Sequence, residues 1–136
     1  RMMRVEQLIG SRAPLHVTAV GKLFLAEGSD QACREYARRS GLKRYTANTF
    51  TQVTKLWAEV QKSKLRGYAL DNEEAELGVG CIGVAVHDNH GVMVAGLLRL
   101  IEAAQRIHEG EVHRAVAHAT SGPCLQQNLV AVLEGK

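Results

Sequence analysis

Apolar and polar positions alternate with two different periods along the chain, and the change of period falls near residue 78. Ahead of it the spacing is helical. Thr18–Ala26 (TAVGKLFLA) is apolar on most sides and predicts a buried helix. Ser29 is placed to cap a second helix through Arg39, with Ala32, Cys33, Tyr36 and Ala37 on one face and Gly41 as its stop. Thr51 is placed to cap a third, in which Val53, Leu56, Trp57 and Val60 follow the i, i+3, i+4, i+7 rule until Gly67 ends it. Lys43–Thr49 reads as loop.

Beyond the change the pattern is that of strands. Cys81–Val86 (CIGVAV) predicts a short apolar strand, Asp88-Asn89-His90-Gly91 a turn, and Val92–Leu97 the returning strand of a hairpin. Leu98–His108 reverts to helical spacing, with Leu98 and Ile101 on one side. Further strands are expected at Arg1–Gly10, Glu111–Ala117 and Asn128–Glu134. This mixed order predicts an α+β fold with an antiparallel sheet.

Composition changes this picture little. A chain of 136 residues fits one domain, and scarce aromatics leave Leu, Val, Ile and Ala to fill the core. Net charge is +3, too mild to indicate nucleic-acid binding. The charge is unevenly spread: Arg34–Arg66 holds nine Lys/Arg against two Glu, and the next ten residues reverse the sign. A solvated helical face is the plainer account of that stretch, and a partner surface the alternative. Cys33, Cys81 and Cys124 are far apart and odd in number, which disfavours a disulfide framework or structural zinc site and suits a reducing cytoplasm. No secretory signal or membrane-length apolar run is visible. The first residue is Arg1, not Met, so a fragment is expected.

Several motifs carry possible chemistry. Gly78-x-Gly80-x-x-Gly83 has the letters of a dinucleotide fingerprint in the wrong setting, after an acidic loop and into a strand. Close backbone approach or a bulge explains these glycines better. His108 and His113 are five apart with Gly110 between them, which does not make a zinc-protease helix. His87 and His90 flank a turn, where a shared metal is the lesser reading. His16 in the Pro14-Leu15 loop is expected to make a structural hydrogen bond, Lys22 to snorkel from its apolar helix, and Trp57 to join the core. Glu73, Glu74 and Glu76 are most simply solvated loop acids. Cys81, taken alone, is a small core residue.

Three segments together are more specific: Gly10–Ala26 (GSRAPLHVTAVGKLFLA), Tyr45–Thr49 (YTANT) and Gly67–Val86 (GYALDNEEAELGVGCIGVAV). They resemble the C-terminal effector-binding domain of the IclR-type bacterial transcription regulators, and the resemblance runs almost continuously from Arg1 to Leu97. It implies a GAF-like curved antiparallel sheet with helices, holding a small effector in a cup. It further implies that backbone N–H groups of Ala19 and Val20 hold an anionic effector, an organic acid or sugar-derived metabolite. Asp71 and Cys81 are implied as side-chain contacts, and Met2 and Val5 as apolar walls. A helix N-terminus favours anions, so the arrangement is physically reasonable. The resemblance implies no catalysis and no cofactor, a cytoplasmic homodimer or tetramer, and DNA contact only through a separate winged helix-turn-helix domain.

The family's Ser-x-Ser-Gly-Pro segment does not follow here; Leu98 and Leu100 stand where its serines belong. Residues 98–136 look more like the part that normally precedes residue 1, with Gly110–Val116 (GEVHRAV) and a terminal Glu134-Gly135-Lys136. A single effector-binding domain over 1–136 with permuted segment order is therefore expected. The alternative takes Ser121-Gly122-Pro123 as the family's terminal segment after an insertion. Two other functions remain beside the sensor: a cysteine enzyme built on Cys81, and an interaction module without ligand.

Overall fold

The computed structural model describes residues 12–102; the strands expected at Arg1–Gly10, Glu111–Ala117 and Asn128–Glu134 lie outside them. A short 3-10 turn at Leu15–Val17 leads into α1 (Ala19–Glu27), which is followed by α2 (Asp30–Ser40) and α3 (Val53–Arg66). Then come β1 (Ala69–Asn72), β2 (Val79–His87) and β3 (Met93–Glu102), an antiparallel sheet in the order β1-β2-β3.

The helices begin and end for local reasons. The Thr18 side chain accepts from the Gly21 N–H and caps α1, and Ser29 does the same for α2 through the Ala32 N–H. Gly41 and Gly67 end α2 and α3 in the left-handed conformation, which costs glycine nothing. The expected cap at Thr51 is not used. Gln52 occupies the cap position of α3 without a side-chain hydrogen bond, while the Thr51 hydroxyl accepts from Arg44.

Two further differences concern the sheet. Ala69–Asn72, where the sequence pattern predicts no strand, is a strand pairing with β2 from Ala69↔Gly83 to Asn72↔Gly80. The helix expected from Leu98 does not start there. Residues 98–102 continue β3, paired as far as Val79↔Glu102, and the rest of that expected helix lies outside the described residues. Ladder hydrogen bonds along the whole of β2 outweigh a weak local helical pattern. The hairpin turn is as expected: the Asp88 carboxylate accepts from the N–H groups of His90 and Val92, and Gly91 has positive φ.

α1 is the central element, buried on both sides. One side joins α2 and α3 through Leu25, Ala26, Cys33, Leu42, Leu56 and Val60, with Trp57 half-buried against them. The other faces the sheet through Ala19, Val20 and Leu23, which pack with Ala69, Cys81 and Met93. Contact with the sheet is close because β2 and β3 present glycines there. A Cβ on Gly83 would stand 3.0 Å from the Ala19 Cβ, and one on Gly96 would lie within 2.4 Å of the Val20 side chain. Gly83 thus has the backbone-approach role expected of it, whereas Gly78 (φ 82) makes the turn into β2.

Candidate functional site

The site grows from the register of β1 on β2. Asp71 lies directly opposite Cys81, and both are buried, at 4% and 8% exposure. Cys81 also belongs to the cluster formed with Ala19 and Val20 at the start of α1. Four of the six expected site residues are therefore brought together; Met2 and Val5 lie outside the described residues.

The start of α1 has amides to offer. Thr18 takes the Gly21 N–H with its hydroxyl and the Lys22 N–H with its carbonyl. The N–H groups of Ala19 and Val20 have no acceptor among the described residues. A Cβ on Gly83 would stand 3.2 Å from the Val20 nitrogen, so the absence of a side chain there lets the β2 backbone pack closely against the start of α1.

Behind Asp71 sits a charged arrangement that the sequence did not announce. Lys22, expected to snorkel, is fully buried: its ammonium donates to the Leu70 carbonyl at 2.7 Å, contacts the Glu74 carboxylate at 2.5 Å, and lies 5.0 Å from the centre of the Phe50 ring. The reason is reach. Lys22 faces β1, and four methylenes deliver its charge to a carboxylate before they deliver it to water. Glu74, expected in solvent, is 2% exposed. Its carboxylate also accepts from the Asn72 N–H, and its own N–H donates to the Asp71 carboxylate at 2.8 Å. Glu73 and Glu76 are less buried than Glu74, as befits loop acids.

The YTANT motif holds this loop. The Thr46 and Thr49 hydroxyls donate to the carbonyls of Glu73 and Glu74, each at 2.7 Å, and the Asn48 amide donates to the Asn72 carbonyl. Glu73 needs the fastening, because it is a non-glycine residue at φ 55. The repeated Thr/Asn pattern is the one signal from which such a strap was readable. Away from the site, His16 makes the expected structural hydrogen bonds, its ring nitrogens meeting the Tyr36 hydroxyl and the Lys43 carbonyl.

The electrostatics follow from burial. Desolvation pushes the Asp71 carboxyl up to about 6, the nearby Glu74 charge acting in the same direction. Hydrogen bonds from the Glu74 and Ala75 amides and the charge of Lys22 work against the rise. Desolvation and the Asp71 charge push the Cys81 thiol up to about 12, so it is a neutral, apolar surface and a poor nucleophile. What the arrangement offers a ligand is two amides without an acceptor among the described residues, a neutral thiol and one carboxyl raised to about 6.

An α+β domain with a helix start laid on the floor of an antiparallel sheet is the class these elements define. The family profile described as the C-terminal domain of bacterial transcriptional regulator IclR matches residues 1–121. The chain belongs to that family. It is 39% identical over 95 residues to the HTH-type transcriptional regulator KdgR of Dickeya chrysanthemi, spanning 70% of this chain and 31% of that protein. The solved C-terminal domain of Escherichia coli KdgR superposes with a TM-score of 0.72 at 36% identity, covering 80% of this chain and 66% of that one. The inducer-binding domain of the transcription factor PobR from Acinetobacter, solved as a double mutant with 3-hydroxybenzoic acid, gives 0.74 at 26% identity, covering 94% and 71%. The chain spans about a third of the length of the curated relatives it matches.

Proposed function

We propose that the chain is the ligand-sensing domain of a transcription regulator, taking a small anionic metabolite between the start of α1 and the floor of the sheet. Ala19 and Val20 supply amide donors, Asp71 and Cys81 line the floor, and Met2 and Val5 add apolar wall. The observation that carries this reading is the packing of Cys81 against Ala19 and Val20 with Asp71 as its cross-strand partner. Family membership supports it, as does the PobR domain solved with an aromatic carboxylic acid. Binding acts on DNA through a separate winged helix-turn-helix domain, by favouring one arrangement of subunits in a homodimer or tetramer; a ligand shifts such a balance only by its differential affinity. The regulator works in the cytoplasm, and none of the helices among the described residues is long and apolar enough to cross a membrane.

Catalysis by Cys81 is disfavoured by its own surroundings. A thiol raised by burial and a neighbouring carboxyl holds almost no thiolate near neutrality. The sensor reading is tested by thermal denaturation against small carboxylates. A true effector at a hundred times its Kd adds about 2.7 kcal/mol and raises Tm. The rise is expected to vanish in Asp71→Ala. A chain whose Tm responds to no metabolite of any class is an interaction module instead.

A further inference from the structure

The charges around the floor of the site are unequally matched. Lys22 is committed to Glu74 and to the Leu70 carbonyl. Glu74 in turn gives its carboxylate to Lys22 and the Asn72 amide, and its N–H to Asp71. From β2 the group facing Asp71 is the Cys81 thiol. On α3, the remaining element packed on β1, Arg66 is bound to Glu59 and the Tyr68 carbonyl. Among the described residues Asp71 thus has backbone amides for partners and no ion pair, the Lys22 charge acting on it from a distance, in a place nearly closed to water.

A carboxylate ligand seated on the Ala19 and Val20 amides brings a second negative charge against this floor. Two carboxylates close together in a desolvated site do not both stay ionised; one holds a proton and donates it to the other. We propose that this site, on the sensor reading above, recognises carboxylate ligands through proton uptake: Asp71 becomes a neutral carboxylic acid as the ligand enters, and donates a hydrogen bond to the ligand's carboxylate. The balance is simple. One proton moves from solvent to the Asp71 carboxyl, no covalent bond changes in the ligand, and the complex carries one negative charge less than its separate parts. The midpoint of about 6 in the free protein means that this proton is available at little cost near neutral pH. The device also selects. A neutral polyol gains nothing from the proton.

The test uses the full chain with acetate, glycolate and 3-hydroxybenzoate as carboxylate probes, and 3-hydroxybenzyl alcohol and glycerol as neutral ones. Titration calorimetry at pH 7 in two buffers of different ionisation enthalpy counts the protons taken up. The Asp71 side-chain carbon, assigned by its loss in Asp71→Asn, gives the midpoint by NMR with and without probe. Expected results are uptake approaching one proton per carboxylate bound, a midpoint raised by at least two pH units, and a Kd that weakens about tenfold per pH unit between the midpoint of the free protein and that of the complex. Asp71→Asn, whose amide donates at any pH, is expected to bind the same probe with no proton uptake and a flat pH profile. Equal enthalpies in the two buffers overturn the proposal, and so does an Asp71 midpoint in the ordinary carboxylate range or one that no carboxylate moves. Binding of neutral probes alone overturns it too, while leaving the sensor reading standing.

Discussion

α1 has two neighbourhoods, and they are built on opposite principles. On its outer side, toward α2 and α3, large aliphatic and aromatic side chains interlock: Leu25, Leu42, Leu56 and Val60 are buried, and Tyr36, Phe50 and Trp57 close the margin. The buried histidine there, His16, has a partner for each ring nitrogen. On its inner side, toward the sheet, Val20, Leu23 and Met93 are joined by small residues (Ala19, Ala69, Cys81 and two glycines), and the adjoining polar groups are charged. The outer side holds the helix in place; the inner side lets a backbone and its amides approach a carboxyl. Close packing of large groups adds stability at low risk, whereas buried charges stabilise only while every partner remains.

The largest expected effect comes from breaking the inner side by removing one charge. Lys22→Met leaves the Glu74 carboxylate buried without its cation and is expected to cost about 3–5 kcal/mol in urea unfolding. Adding Glu74→Gln removes the stranded charge, so the double variant should recover much of that loss. If the two single losses simply add, Lys22 and Glu74 are independent and the contrast between the two sides of α1 fails.

On the outer side the matching change is Leu56→Ala, a fully buried side chain truncated among aliphatic neighbours. A loss of about 3 kcal/mol is expected from transfer and cavity terms together. Here the readouts should separate. Leu56→Ala lowers the urea midpoint while the Kd for a bound carboxylate stays within about twofold, because no site residue touches the cavity. Below its new unfolding temperature, a large change of Kd in this variant would mean that the two sides are coupled through α1.

This contrast also governs what the sequence made legible. Much of the outer side was readable, since the cap at Ser29, the stops at Gly41 and Gly67, and the apolar spacing of α3 are local signals; the cap at Thr18 was read as part of its helix. β2 and the turn at Asp88–Gly91 were legible on the same grounds. The short strand β1 was not, because ALDN carries no alternation and owes its form to pairing with β2. β3 beyond Leu97 was misread as helix because Leu98 and Ile101 happen to be three apart. At the site, Asp71, Cys81, Ala19 and Val20 came from family resemblance; that the thiol and the carboxyl stand opposite each other is a matter of register, which no single strand encodes. Lys22 and Glu74 were missed because they are 52 positions apart, and burial of either depends on the other.

The smallest expected effect sharpens the comparison, because it turns on one proton. Asp71 has a midpoint of about 6 in the folded chain against an ordinary value of 3.8. Between those values the folded chain binds the proton more tightly than the unfolded one, so this residue makes stability fall as pH rises from about 4 to about 6. Above that window the full penalty of the buried carboxylate is present; below it there is none. Asp71→Asn mimics the protonated form and still accepts the Glu74 N–H through its side-chain oxygen. Its stability is therefore expected to be close to that of the unaltered chain near pH 4 and to exceed it by up to about 3 kcal/mol at pH 7, with the downward slope between them removed. Urea midpoints taken at half-unit steps from pH 4 to pH 8 check this. An outer-side variant such as Leu56→Ala should shift the whole curve downward without changing its shape. If Asp71→Asn also shifts the curve in parallel, Asp71 titrates like an ordinary surface acid and the inner side holds no proton-sensitive group of the kind described.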